Sequence, residues 1–349
     1  MPASHNYPTK RATVNPNDVT QTIASLPKAE LHVHLEGSIR PEIAVPLAAR
    51  HGVTLSEEEV RQRYEYRDFG EFLEAFKWVT SFLRTPGDFA LLAADLARQL
   101  IGQNVRYAEI TLSVGVMLLR KQNPQANFEA LLGATERFEK EIRLNWIFDA
   151  VRQFGSDMAM DVVQWARACK SERIVAFGIG GDELSGATAD FRRVYQAATE
   201  CGLRRLIHAG EIGGAEKIRE AVELLKVDRI GHGIASIRDP ALMDLLASRR
   251  IALEVCPVSN IRTGALGRQL SLAEATLRDH PLPQLLRHGV PVVLSTDDPS
   301  MFHVTLSEEY ANAQAMGLSE SELRQMVGNS FEFAFLTSSD RASLNLRPA

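Results

Sequence analysis

Two rhythms of apolar residues alternate along this chain. One is a short continuous run, clearest at Val290-Pro291-Val292-Val293-Leu294; strands buried on both faces read this way. The other is a longer stretch with apolar residues three and four apart, the spacing of a helix that buries one side. An opening strand lies within Ala29-Glu30-Leu31-His32-Val33-His34-Leu35-Glu36-Gly37. Further strands are expected at 105–112, 144–150, 173–178, 204–208, 228–231, 251–255 and 290–295. Helices are expected between them at 128–142, 158–168, 187–200, 215–225 and 281–287. Gly202 and Gly289 close two of these helices, because glycine readily takes the left-handed conformation that ends a helix. Asp239 and Pro240 open another, as cap and first residue.

The interval after the first strand is the longest. Residues 40–102 read as helical, with Ile43, Leu47 and Ala48 beginning an apolar stripe. Ser56-Glu57-Glu58-Glu59 fits a capping box, in which the Ser56 hydroxyl and the Glu59 carboxylate cover orphan amides. Phe69, Phe72, Leu73, Phe76, Val79, Phe82 and Leu83 then recur at helical spacing. This aromatic helix suits core packing, or a lid over whatever the first strand builds. Eight strands with helices between them favour an α/β fold of the closed parallel kind, a (β/α)8 TIM barrel with extra helices inserted after the first strand. A doubly wound open sheet is the alternative. Its phosphate-binding fingerprint is missing, because Glu183 stands where the third glycine after Gly178-Ile179-Gly180-Gly181 belongs.

The 349 residues suit one elaborated barrel as well as two domains. No fixed-period repeat or interior low-complexity linker divides them, so a single domain at 28–349 is expected. Residues 1–27 are polar, carry Pro2, Pro8 and Pro16, and lack the apolar core of a secretory signal; a flexible N-terminal arm is expected there. The net charge of −5 gives no sign of attraction to nucleic acid or membrane. No run of about 18 apolar residues predicts a membrane span. Cys169, Cys201 and Cys256 are an odd, sparse set that suits a reducing cytoplasm better than a disulfide scaffold. The oligomeric state is left open.

Polar residues gather where the expected strands end. They are His32 and His34, Gly181-Asp182-Glu183, His208-Ala209-Gly210-Glu211, Gly231-His232-Gly233, Cys256-Pro257-Val258-Ser259-Asn260 and Ser295-Thr296-Asp297-Asp298-Pro299. In a barrel all of these share one mouth. Residues i and i+2 of a strand point to one face, so His32 and His34 project together, away from Leu31, Val33 and Leu35. Gly37 allows a sharp exit from the strand. A lone His-x-His also reads as an ordinary polar face; the downstream residues supply the rest of a site. Three imidazoles and a carboxylate suit zinc with a position left for water, and His32, His34, His208 and Asp297 are the expected ligands. Such a metal lowers the pKa of a bound water from about 16 to about 7. His232 and Asp298 remain to orient or deprotonate that water. Glu211, held protonated in a closed pocket, is a workable acid.

As a set, Lys28–Gly37, Gly181-Asp182-Glu183, His208–Glu211, Arg229-Ile230-Gly231-His232-Gly233, Glu254–Asn260 and Ser295–Pro299 resemble the adenosine deaminase family of zinc-dependent amidohydrolase-type barrels. The resemblance implies an enzyme with one Zn2+ per chain and a small-molecule purine substrate; the cysteines place this enzyme in the cytoplasm. It replaces the 6-amino group with oxygen and releases ammonia. It assigns His32, His34, His208 and Asp297 as zinc ligands and Glu211 as the acid toward purine N1. His232 becomes the base and electrostatic partner of the attacking hydroxide. Asp298 meets N7, and the Gly181 amide donates to N3; His34 is counted with the substrate-binding residues as well. Glu36 stands where adenosine-specific members commonly carry Asp toward the ribose 5′-hydroxyl. Relatives with Glu there include deaminases of free adenine and of 5′-modified nucleosides such as 6-aminodeoxyfutalosine. Free-adenine deaminases often show a serine-rich stretch where this chain has Gly180-Gly181-Asp182. The expected order is adenosine or a close adenine nucleoside, then a 5′-modified nucleoside, then adenine. Two rivals are weaker. A two-metal hydrolase with a bridging carboxylated lysine lacks that lysine near Phe177-Gly178-Ile179, and a catalytically dead binding protein would not need the whole set.

Overall fold

A computed structural model describes residues 16–344. Its strand segments are β1 (Lys28–His34), β2 (Val105–Leu112), β3 (Arg143–Val151), β4 (Ile174–Gly180), β5 (Arg204–Arg205), β6 (His208–Ala209), β7 (Arg229–His232), β8 (Ala252–Val255) and β9 (Val292–Leu294). Neighbours pair in parallel, in the order β1-β2-β3-β4-β5 and β6-β7-β8-β9. β5 and β6 are two parts of one strand path interrupted at Leu206 and Ile207. The interruption stays tied on both sides, because the Leu206 amide donates to the Phe177 carbonyl (2.9 Å) and the Gly231 amide to the Ile207 carbonyl (2.9 Å). At the other seam Val33 and Asp297 form a parallel bridge. There the His34 amide donates to the Asp297 carbonyl (2.8 Å) and the Asp297 amide to the His32 carbonyl (2.9 Å). Eight strand positions thus make the expected (β/α)8 barrel.

Between β1 and β2 lie four helices, Pro41–Arg50, Glu57–Arg63, Phe69–Thr80 and Pro86–Gly102. The capping box forms: the Ser56 hydroxyl accepts from the Glu59 amide (3.2 Å), and the Ser56 amide donates to the Glu59 carboxylate (2.7 Å). Phe72 of the aromatic helix is buried and stacks on Phe302 with ring centroids 5.1 Å apart. The Tyr66 hydroxyl donates to the Met301 carbonyl (2.8 Å). The helix is therefore packed against the segment that follows Asp298. The helix expected at 128–142 is Pro124–Thr135, starting earlier because Asn123 caps it and Pro124 takes its first position.

Two local expectations change. In place of a loose arm, residues 16–25 form a helix (Pro16–Ser25), while residues 1–15 lie outside the described residues. The Lys28 ammonium donates to the Ala24 and Leu26 carbonyls, each at 2.8 Å, and so caps the helix from the first residue of β1. Leu31 does not share a face with Val33 and Leu35. β1 shifts register between Glu30 and Val33, and such a bulge resets the alternation. Leu31 joins Ala29, Tyr107, Ala252 and Val293 in one cluster, whereas Val33 and Leu35 belong to the main core. No described helix is long and apolar enough to cross a membrane.

The barrel floor is ionic. Arg229, at the start of β7, is fully buried; its Nε donates to Glu254 Oε1 (2.6 Å) and its Nη2 pairs with Glu109. Its Nη1 donates to the Phe333 carbonyl (2.6 Å), and its guanidinium lies 3.7 Å from the centre of the Phe335 ring. The Tyr107 hydroxyl donates to Glu109 (2.9 Å). Removing one partner from a buried ion group leaves the others without compensation, at a cost of about 3–5 kcal/mol. Arg229→Met should therefore lower the unfolding free energy by roughly that amount in urea titration. A loss below about 1 kcal/mol would mean that Arg229 does not hold the floor together.

Candidate active site

At the opposite, carboxyl end of the strands, β1 presents His32 and His34, β6 presents His208, β7 ends on His232, and Asp297 and Asp298 follow β9. The four imidazoles converge, with ring centroids of neighbouring pairs 4.6–5.4 Å apart. Donor atoms of His32, His208, His232 and Asp297 all lie within 4.8 Å of one another. His34, Asp297 and Asp298 form a second, overlapping group, in which His34 Nδ1 is 2.8 Å from Asp297 Oδ1 and 3.4 Å from Asp298 Oδ1. The structure brings His32, His208 and Asp297 together with His232 where His34 was expected, and places His34 in the neighbouring group that shares Asp297. His232 (φ 62°) and Asp297 (φ 67°) both occupy the left-handed region. For residues with a side chain this is strained, typically by about 1–3 kcal/mol, and strain of this kind concentrates at functional sites.

Residues with no role in the sequence-based assignment aim this cluster. His32 Nδ1 is hydrogen-bonded to Glu254 Oε2 (2.7 Å), which leaves Nε2 facing the other donors. The Asn260 side chain meets His232 Nδ1 (3.1 Å), turning Nε2 toward Glu211 (3.6 Å) and Asp297 (3.8 Å). The Ser259 hydroxyl donates to Asp297 Oδ2 (2.6 Å). Ser259 and Asn260 lie on the helix Pro257–Arg262, which starts where β8 ends. Their motif is visible in the sequence, but the direction of each side chain is not. Two glycines make room: a Cβ on Gly231 would sit 2.7 Å from His32 Cε1, and one on Gly37 would overlap the Asp298 carboxylate. Gly37 thus serves by its lack of a side chain and needs no unusual turn.

Burial and neighbouring charge divide the titratable groups. Burial, then Asp297 and Glu183, push the Glu211 carboxyl well above the ordinary carboxylate range. Burial and the adjacent imidazoles keep His208 well below its usual value, and burial pulls His232 down to about 3, so both are neutral donors. Burial disfavours charge on His32 too, but Asp297 and Glu254 outweigh it and raise His32 to about 9. Asp297 is held well below its ordinary value; the His32 and His34 imidazoles beside it overcome burial. The acids therefore draw positive charge to this point, and a cation can take the place of that proton. His32 Nε2, His34 Nδ1 and His232 Nε2 are buried and have no hydrogen-bond partner among the described residues. Nitrogen donors beside a carboxylate, left open in this way, fit a zinc-type ion.

The remaining expected residues border the cluster. Glu36 is buried just past β1; its Oε1 accepts from the Ser113 amide (3.0 Å), and its Oε2 has no hydrogen-bond partner among the described residues. Burial raises its carboxyl. Gly181 follows β4 with φ 90°, and a Cβ there would lie 2.5 Å from Gln153 Oε1, so only glycine suits the turn. Gln153 Oε1 in turn accepts from the Asp182 amide (2.9 Å).

Comparison with known proteins places this geometry. The chain is 38% identical to the aminodeoxyfutalosine deaminase of Streptomyces coelicolor, over 94% of this chain and 85% of that one. It is 37% identical to the adenine deaminase of the same organism, over 89% and 91%. The crystal structure of adenine deaminase from Arthrobacter aurescens superposes with a TM-score of 0.82 at 31% identity, covering 91% of this chain and 96% of that one. The adenosine deaminase family profile matches residues 27–347. With this barrel and this cluster of histidines and acids at its mouth, the chain belongs to the adenosine deaminase family, hydrolases that act on the C–N bonds of amidines.

Proposed function

We propose that the protein hydrolytically removes the 6-amino group of an adenine nucleoside, using one zinc ion per chain. The observation that carries this is the juxtaposition of a buried, proton-retaining Glu211 with neutral His232, 3.6 Å apart, beside Asp297. His32, His34, His208 and Asp297 would hold the ion. When bound, it makes a water nucleophilic near neutral pH. Glu211 carries the proton that N1 needs before C6 becomes electrophilic. His232, neutral and with Nε2 turned toward this point, would be the group to take the proton that water loses. Asp298, whose carboxyl burial and Asp297 push above its ordinary value, is the group for N7. The Gly181 amide remains the donor for N3.

For the substrate's tail, the order expected from the sequence shifts. The relatives quoted above are named for aminodeoxyfutalosine and adenine, not adenosine. Glu36 offers one fixed and one unpartnered oxygen, suited to a hydroxylated or extended sugar. A 5′-modified adenine nucleoside of the aminodeoxyfutalosine type therefore comes first and adenine second. Kinetics on adenosine, a 5′-substituted adenine nucleoside and adenine decide the order.

Purified protein should contain about one zinc per chain by elemental analysis. Glu254→Gln, which weakens the support behind His32, should lower zinc affinity roughly 10–100-fold. Two tightly bound metals, or unchanged affinity in the variant, would contradict the assignment. Glu211→Gln should keep its zinc and lose about 10²–10⁴ in kcat, since the amide keeps the shape without the proton; near-normal turnover would remove Glu211 as the acid. Glu36→Asp should change the kcat/KM ratio between adenosine and the 5′-substituted nucleoside by roughly fivefold, the worth of one repositioned hydrogen bond. Adenine should respond much less. Equal responses from all three would show that Glu36 does not read the tail.

A further inference from the structure

The Gly181-Asp182-Glu183 stretch contains a group that the chemistry above leaves unused. Glu183 is 2% exposed, and its carboxylate faces four consecutive backbone amides. The Gly210 amide donates to Oε1; the amides of Glu211 (3.1 Å), Ile212 (2.9 Å) and Gly213 (2.8 Å) all donate to Oε2. The carbonyl side of the same turn is held from elsewhere. Gln269 Nε2 donates to the Glu211 carbonyl (2.8 Å) and to the Gly213 carbonyl (2.6 Å). The turn that carries Glu211 is thus pinned by two side chains, one from the loop after β4 and one from the helix Ala265–Leu270. Such bonding is more than a loop needs to stay ordered. It fixes a particular backbone path and, with it, the direction of one side chain.

We propose that Glu183 is a positioning residue for Glu211: by collecting the amides of Gly210–Gly213 it sets where the Glu211 carboxyl points. The proposal rests on Glu211 being the acid. A proton donor works only within about hydrogen-bond reach of its target, and a misplacement of about 1 Å can cost on the order of a hundredfold. The charged and titratable groups facing Glu211 are Asp297 and Asp298 after β9, His232 on β7, His32 on β1 and Glu183 itself. Of these, only Glu183 bonds to its backbone.

E183Q retains the shape but replaces one acceptor with a donor that opposes the amides. In the zinc-loaded enzyme we expect kcat to fall roughly 100-fold with KM within about threefold. Zinc content and far-UV circular dichroism should match wild type. In an E211Q background, E183Q should add less than about twofold, because residues acting as one unit are not additive. Unchanged kcat in E183Q, or a full further loss in the double variant, overturns the proposal. Should E183Q fail to fold, G213A serves: its methyl would lie 2.7 Å from Glu183 Oε1 and 2.9 Å from Cδ, displacing the clamp while leaving the charge. The same pattern is expected, and wild-type kcat in G213A overturns the proposal. Hydrogen exchange separates this idea from the deaminase reading. Amides 210–213 should exchange slowly in wild type and faster in G213A whatever the substrate; fast exchange in wild type defeats the clamp. Absence of deamination by wild type on the purine panel defeats the reading instead.

Discussion

A guanidinium sealed inside the barrel sets the terms for the rest of the structure. Arg229 cannot reach water, so its charge must be met within the protein, and the low dielectric makes an incomplete answer costly. Glu109 and Glu254 supply the charge, and Phe333 supplies a carbonyl. Glu254 then divides its two oxygens: one faces down to Arg229 and the other up to His32. The carboxylate that completes the floor is therefore also the one that orients the first imidazole of the mouth. Floor and mouth share a side chain, which ties the precision of the site to the integrity of the barrel.

At the mouth the same principle produces different outcomes for similar groups. Asp297, surrounded by imidazoles and the Ser259 hydroxyl, is an anion. Its neighbour Asp298 and the nearby Glu211 are buried and face that anion, so both resist ionisation. Burial and one fixed charge together set the state of the other two. An acid, a base and an ion-holding group can then coexist within a few ångströms at neutral pH without any unusual residue type.

Much of this was readable from the residues. The strand paths are legible because buried parallel strands carry unmixed apolar runs, and all eight expected ones lie where β1 to β9 run. The mouth is legible because its polar residues interrupt those runs at their carboxyl ends. What escaped depends on direction in space. The bulge in β1 leaves no mark in composition, so simple alternation puts Leu31 on the wrong face. Gly37 looks like a turn residue until Asp298, far away in sequence, is seen to occupy the space beside it. The helix at 16–25 is capped by Lys28 from the far side of the expected boundary. Glu254 and Asn260 sit in visible motifs, but only the folded backbone shows which ring nitrogen each one meets.

The floor network also has a consequence for the order in which a ribosome delivers the chain. The carbonyl that meets Arg229 belongs to a residue 104 positions later, and the Phe335 amide that meets Glu109 lies 226 positions after it. Through most of translation the strands already made would have to enclose charged groups whose partners are still unsynthesised. An emerging barrel of this kind gains by staying open and hydrated at its base, and late contacts of such long reach are slow to form. Closure then awaits the segment at 333–335, and a nascent chain halted before it would hold every catalytic side chain yet lack a dry interior in which to set them.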